Sequence, residues 1–162
     1  MEYTVNRYDC SRKIMVITNM GCNLDCIYCY ERHKENHTVF DLNETLNKLS
    51  QILNTKTSKG TLIKLLGGEP FEPENQQVLV NVLRRIRETY PGKNIWCYTG
   101  YLYDVDLIPG GKVFTDVTEE MLSYVDVLVD GPFVEAEKDL TLVFRGSRNQ
   151  RILDLRQVRE NG

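Results

Sequence analysis

Four short apolar runs along the chain have the length and the β-branched character of buried strands. The first run reads Lys-Ile-Met-Val-Ile-Thr, and glycine or aspartate directly follows each of the other three, as expected where a strand ends. The pattern therefore predicts four strands. They cover residues 13–18, 61–66, 95–99 and 125–129.

Segments between these runs carry apolar residues at helical spacing. Leucines recur in this way after Asp41, which predicts a helix of about three turns. Residues 74–90 predict a second helix, which ends at Pro91 and Gly92. Residues 102–118 contain glycine and proline, and we expect a loop there with about one helical turn.

Strands that alternate with helices predict an α/β domain with a largely parallel sheet. Ligands bind such sheets at the carboxyl ends of the strands. Four predicted loops share that edge, which we call the rim. They contain a cysteine cluster, Gly67-Gly68-Glu69-Pro70, Thr99-Gly100 and Asp130-Gly131.

Composition and charge are those of an ordinary globular protein. The 162 residues are 41% hydrophobic and 27% charged, and this length fits a single domain over residues 1–162. The net charge of -3 gives no signature of nucleic-acid binding. No apolar run resembles a signal peptide or a membrane-spanning helix. We therefore expect a cytoplasmic protein that binds neither nucleic acid nor membrane.

Three of the five cysteines form the pattern Cys-x3-Cys-x2-Cys in the loop after the first predicted strand. An odd number of cysteines without a secretion signal argues against a disulfide framework. Cys22, Cys26 and Cys29 instead offer three thiolates on one short loop, which can bind three corners of a 4Fe-4S cluster. The fourth iron then has no protein ligand and can bind a substrate.

Zinc is the alternative metal, because His33 and His37 closely follow two of these cysteines. The cysteine and histidine pairs are closer together than in ordinary zinc fingers, and zinc would leave Cys22 without a role. We favour the cluster and expect both histidines to be exposed. Cys10 and Cys97 have no partner at motif spacing, so we expect them to be small buried hydrophobic residues.

The cysteine triad, the tyrosine before its third cysteine and the Gly-Gly-Glu-Pro stretch together resemble the radical S-adenosylmethionine superfamily. The resemblance implies that S-adenosylmethionine chelates the fourth iron and that the glycine stretch holds its methionine amino group. It also implies a shortened, open radical-SAM partial (βα) barrel, since a closed barrel takes about 250 residues. The predicted cofactor-binding residues are Tyr28, Gly67, Gly68, Glu69, Pro70 and Thr99.

Three further segments, residues 91–101, 127–133 and 145–151, resemble the activating proteins of anaerobic (class III) ribonucleoside-triphosphate reductases. The resemblance implies that a one-electron donor such as flavodoxin or ferredoxin reduces the cluster. Cleavage of S-adenosylmethionine then gives methionine and a 5'-deoxyadenosyl radical. This radical would remove hydrogen from a backbone glycine of the reductase large subunit, a glycyl-radical protein.

Arg145, Arg148 and Arg151 lie around a glycine in the last of these segments. Three fixed cations suit contact with an anion or a carboxylate, which makes them candidates for partner binding. Residues 116–139, however, hold eight acidic residues against one lysine, so a set of internal ion pairs accounts for the same arginines. The sequence leaves both alternatives open.

Two other functions share part of this sequence evidence. A radical S-adenosylmethionine enzyme that modifies another peptide or a small molecule would carry the same cofactor motifs. A non-catalytic iron-sulfur or zinc module would use the cysteines without cleaving S-adenosylmethionine. A metal and sulfide assay on anaerobically prepared protein distinguishes zinc from a cluster.

Overall fold

The computed structural model describes residues 4–9, 14–18, 62–65 and 68–161, together with positions 43, 47, 50 and 51. Within these residues, six strands form one sheet. They are β1 (Thr4–Asp9), β2 (Ile14–Thr18), β3 (Leu62–Leu65), β4 (Asn94–Tyr98), β5 (Val127–Asp130) and β6 (Arg151–Asp154).

The strands lie in the order β1-β2-β3-β4-β5-β6. The four central strands β2 to β5 are parallel, and β1 and β6 pair antiparallel at the two edges. Register is continuous across the centre, where Lys64 of β3 lies opposite Trp96 of β4 and Trp96 lies opposite Val127 of β5. The prediction of an α/β chain with a largely parallel sheet is confirmed.

The α-helices with defined bounds in the described part of the chain are α1 (Pro73–Thr89), α2 (Thr118–Tyr124) and α3 (Leu155–Asn161), and Glu135–Glu137 form a short 3-10 helix. A proline in its first turn starts α1, and Tyr90 caps its end, one residue before Pro91. Positions 43, 47, 50 and 51 are all helical, in agreement with the helix predicted after Asp41. None of the helices in the described residues is long and apolar enough to cross a membrane.

The core lies between α1, α2 and one face of the sheet. Side chains along β3 and β4 alternate, so that Ile63, Leu65, Ile95 and Cys97 are fully or almost fully buried. They belong to the same buried cluster as Leu83 of α1. The prediction that Cys97 is a buried hydrophobic residue is therefore confirmed. Because of this alternation, the opposite face of the sheet carries the half-buried Lys64, Trp96 and Tyr98.

Four elements were not predicted from the sequence pattern: β1, β6, α2 and α3. Both edge strands contain charged residues and show no apolar run, and pairing with β2 and β5 supplies the stabilisation that their composition does not. The two helices have seven residues each, too few for a clear helical period. Val125, predicted to begin a strand, instead caps α2, and β5 starts at Val127.

Candidate active site

Three of the four predicted rim loops lie within the described residues, and the structure brings them together. They follow β3, β4 and β5, whose parallel arrangement places their carboxyl ends at one edge of the sheet. In the described part of the chain, no group of three or more His, Cys, Asp or Glu side chains is arranged to hold a metal. The predictions for Cys22, Cys26, Cys29, Tyr28, Gly67, His33, His37 and Cys10 lie outside these residues.

The carboxylate of Glu69 joins the loop after β3 to the loop after β4. Its side chain is buried, with 1% of the residue exposed. Oε1 accepts hydrogen bonds from the Thr99 hydroxyl at 2.6 Å and from the Phe71 N–H at 2.9 Å, while Oε2 accepts from the Gly100 N–H at 2.8 Å. Two predicted site residues, Glu69 and Thr99, are thus in direct contact. We call this set of bonds the Glu69 clamp.

Burial raises the pKa of Glu69 to about 7. Hydrogen bonds from Thr99, Gly100 and Phe71 act in the opposite direction, and the nearby charge of Glu72 raises the pKa further. Removal from water outweighs the hydrogen bonds. The carboxyl group therefore changes its charge close to neutral pH, whereas an exposed glutamate does so near 4.3.

The turn that precedes the clamp depends on glycine. Gly68 is half-buried and has a φ of +59°, a conformation that residues with a Cβ rarely adopt. The next two residues are buried. The Glu69 carbonyl accepts hydrogen bonds from Asn75 Nδ2 at 2.7 Å and from the Glu72 N–H at 3.1 Å, which ties the turn to the start of α1.

The loop after β4 is held from both sides. The Thr99 hydroxyl accepts a hydrogen bond from the Tyr101 N–H at 3.1 Å, and the Thr99 N–H donates to the carbonyl of Val129 in β5 at 2.9 Å. Tyr101 is 5% exposed and donates its phenolic hydrogen to Glu72 at 2.8 Å. Thr99 therefore connects the clamp to β5.

A second buried carboxylate, Asp130 at the end of β5, ties the segment after β4 to β6. It is fully buried and accepts hydrogen bonds from the Tyr103 N–H at 2.8 Å and from Arg151 Nε at 2.9 Å. Arg151 also donates from its two terminal nitrogens to Asp104, at 2.9 and 3.0 Å. These bonds raise the pKa of Arg151 and lower that of Asp104. We call Asp130, Arg151 and Asp104 the arginine bridge.

The residues just before Arg151 hold the loop after β5 through their side-chain amides. Gln150 Nε2 donates to the Gly131 carbonyl at 3.1 Å, and Asn149 Nδ2 donates to the Pro132 carbonyl at 2.7 Å. Gly131 needs its glycine, because its φ is +97°. The Arg-Gly-Ser-Arg-Asn-Gln-Arg stretch thus stabilises the loop after β5 by hydrogen bonds to its carbonyl groups.

The three arginines of this stretch all have contacts inside the chain. Arg148 forms an ion pair with Asp139 at 3.0 Å, and Arg145 donates to the Gln150 carbonyl at 2.6 Å. With the bridge of Arg151, these contacts match the internal alternative raised by the sequence. Partner binding by the same residues stays a prediction. In the ion pair with Asp139, Arg148 is the more accessible residue, because 72% of its side chain is exposed.

The face of the sheet opposite the core carries a cation among aromatic rings. Lys64 Nζ lies 5.1 Å from the ring centre of Phe144 and 5.5 Å from that of Tyr98. The rings of Trp96 and Phe144 meet edge to face, with centres 4.9 Å apart. Phe144 is 47% exposed and has a φ of +66°, an uncommon conformation for a bulky residue.

The sequence pattern did not predict that Glu72, Asp104 and Phe144 contact the rim loops or the aromatic face of the sheet. Glu72 occurs in the run Gly-Gly-Glu-Pro-Phe-Glu, so a second carboxylate beside the glycine stretch was the available signal. Asp104 and Phe144 lie in segments with no regular pattern. Their positions depend on loops that fold back over the sheet, which the sequence pattern does not reveal.

Comparison with known proteins agrees with the chemistry inferred from the sequence. Residues 12–153 match the family described as a 4Fe-4S single cluster domain. The anaerobic ribonucleoside-triphosphate reductase-activating protein of Haemophilus influenzae is 34% identical over 135 residues, which are 80% of each chain.

Proteins with the same name in Enterobacteria phage T4 and Escherichia coli K12 are 33% and 32% identical. These two matches cover 87% and 84% of this chain and 82% and 84% of the relatives. No solved structure matches the chain. Identity above 30% over most of both lengths establishes the relationship, and the chain belongs to the family of anaerobic ribonucleoside-triphosphate reductase-activating proteins, with a 4Fe-4S single cluster domain.

Proposed function

We propose that this chain is a radical S-adenosylmethionine enzyme that generates a glycyl radical on an anaerobic ribonucleotide reductase. The observation that carries the proposal is the similarity to reductase-activating proteins over at least four fifths of both chains. The match to a single 4Fe-4S cluster domain supports the cofactor. The loops after β3 and β4, which the Glu69 clamp joins, support a ligand site next to this cofactor.

Cys22, Cys26 and Cys29 would bind the cluster, and the rim loops would bind S-adenosylmethionine. The described rim suits such a ligand, because Gly68 carries no side chain over its backbone and the Glu69 clamp holds the loops around it. When bound, the cluster supplies the electron for cleavage of S-adenosylmethionine to methionine and a 5'-deoxyadenosyl radical. The residues of the chain orient the ligand and hold the loops in place.

An open radical-SAM partial barrel is part of the same proposal, with residues 1–162 in one domain. The parallel strands β2 to β5, with helices on one face, support it. An open sheet leaves room for a segment of another protein at the rim. The partner would be the large subunit of the reductase, which supplies a glycine, and a flavodoxin or ferredoxin would supply the electron.

The decisive experiment mixes the reduced, cluster-loaded protein with S-adenosylmethionine and a cognate reductase under anaerobic conditions. We expect a glycyl radical doublet by EPR on the reductase and 5'-deoxyadenosine as a product. A chain that cleaves S-adenosylmethionine but gives no doublet with a competent reductase acts on a different substrate. Stoichiometric zinc without iron-sulfur absorption would overturn the enzyme assignment itself.

A further inference from the structure

The sequence predicts that the whole Gly-Gly-Glu-Pro stretch binds the cofactor. In the Glu69 clamp, however, the Glu69 side chain bonds neighbouring parts of the protein. We propose that Glu69 is a positioning residue: its carboxylate faces the protein and holds the loop after β4 against the loop after β3, so that both present their backbone to S-adenosylmethionine in one fixed register. The inference deepens the proposed function and rests on it, because it takes S-adenosylmethionine as the ligand.

The direction of the Glu69 carboxylate supports this role. Only 1% of the residue is exposed, and the two oxygens accept three hydrogen bonds from Thr99, Gly100 and Phe71. An ionised carboxylate has about four acceptor positions. Most of its hydrogen-bonding capacity is thus directed at the chain, and two of the three donors belong to the neighbouring loop.

The hydrogen bonds of Thr99 are likewise made within the protein. Its hydroxyl has one hydrogen, which it donates to Glu69 at 2.6 Å, and its oxygen accepts from the Tyr101 N–H at 3.1 Å. The Thr99 N–H is bonded to Val129 of β5. The Thr99 hydroxyl therefore has no hydrogen left for a ligand, and its side chain shapes the loop from within.

A pair of threonines provides the test. Thr118, at the start of α2, donates its hydroxyl to Gln76 Oε1 at 2.6 Å and accepts from the Thr115 N–H at 2.7 Å. It is as well buried as Thr99 and makes the same two kinds of bond, but outside the rim. Thr99→Val and Thr118→Val remove equivalent hydroxyls at nearly constant volume. Thr99→Ser keeps the hydroxyl, and Glu69→Gln replaces one acceptor oxygen of the clamp by a donor.

The measurements are the dissociation constant for S-adenosylmethionine by equilibrium dialysis of the cluster-loaded protein, the change that the ligand causes in the EPR signal of the reduced cluster, and thermal unfolding. We expect both valine variants to unfold at lower temperature. Thr99→Val and Glu69→Gln should raise the dissociation constant about tenfold and weaken the EPR change, as the loss of one charge-assisted hydrogen bond implies. Thr99→Ser should bind within about twofold of the wild type, and Thr118→Val should bind as the wild type does.

The outcomes distinguish the two levels of the proposal. Wild-type affinity in both Thr99→Val and Glu69→Gln overturns the positioning role and leaves the proposed function intact. Equal weakening by Thr118→Val shows a general loss of stability, which also overturns it. A wild-type protein that holds its cluster but does not bind S-adenosylmethionine overturns the proposed function and this inference together.

Discussion

Glu69 and Asp130 are equally buried carboxylates at neighbouring parts of the rim, with exposures of 1% and 0%, but they accept hydrogen bonds from different donors. Glu69 bonds a hydroxyl and two backbone N–H groups, whereas Asp130 bonds a guanidinium and one backbone N–H. Arginine keeps its charge at any physiological pH, and the bridge raises the pKa of Arg151 further. The Glu69 carboxyl, by contrast, has a pKa of about 7.

The difference distinguishes two sides of the rim. The arginine bridge ties Asp130 at the end of β5 to Asp104 in the segment after β4 through a guanidinium that stays charged. The Glu69 clamp fixes the loops after β3 and β4 through bonds whose strength depends on the charge of one carboxyl group. We infer that the two sides of the rim have different roles, one structural and one close to the ligand.

The largest expected effect comes from removing the cofactor while both sides of the rim remain. Replacing Cys22, Cys26 or Cys29 by Ala should abolish the cluster and all cleavage of S-adenosylmethionine, because each thiolate holds one corner. Iron analysis should give about four irons per chain for the wild type and almost none for these variants. Cys10→Ala is the matched control, and a loss of iron there would contradict the assignment of the triad.

Breaking the arginine bridge should have the next largest effect. Arg151→Ala leaves the carboxylate of Asp130 buried without its cation, and we expect the free energy of unfolding to fall by about 2 kcal/mol. The value is below that of a fully buried pair because 38% of the Arg151 side chain is exposed. Denaturant unfolding measures it. Unchanged stability together with weaker binding of the reductase would favour the partner-binding alternative for Arg151.

Much of this arrangement was predictable from the sequence, because the parallel strands follow from apolar runs and the rim loops follow from the ends of those strands. Thr99 and the glycine stretch were predicted at the rim for this reason. The bridge was not predictable, since Asp104 and Arg151 are 47 residues apart and meet only because β6 returns antiparallel to β5. Glu69 was predicted among the cofactor-binding residues as part of the glycine stretch, and the spacing of that stretch could not show that its carboxylate bonds the neighbouring loop.

A pH titration should reveal the raised pKa of the Glu69 carboxyl group. Glu69 has a higher pKa in the folded chain than in the unfolded chain, so its contribution to stability is fully present below about pH 4.5 and is lost as the pH rises through about 7. Among the groups that face it, Glu72 raises the pKa of Glu69, whereas burial and the charge of Glu69 raise the pKa of the Cys97 thiol.

Between pH 6 and pH 8, the free energy of unfolding of the wild type should therefore fall by about 1 kcal/mol more than that of Glu69→Gln. Unfolding curves of the cluster-loaded proteins at both pH values measure the difference. Parallel curves would show that the carboxyl group is already ionised in the folded chain over this range, whereas a carboxyl group that stays protonated would give a larger fall, of about 2.7 kcal/mol.

The smallest effect is expected for Arg148, which also bears on the partner. In its ion pair with Asp139 the Arg148 side chain is 72% exposed, so Arg148→Ala should change the free energy of unfolding by less than about 1 kcal/mol. If the exposed guanidinium contacts the reductase, the variant should bind it about threefold more weakly at low ionic strength, and the difference should shrink as salt is added. Cleavage of S-adenosylmethionine without the reductase should be unchanged, because Arg148 lies outside the clamp. Binding of the reductase by titration at two salt concentrations measures this, and equal affinity of variant and wild type at both would assign Arg148 to the internal ion pair alone.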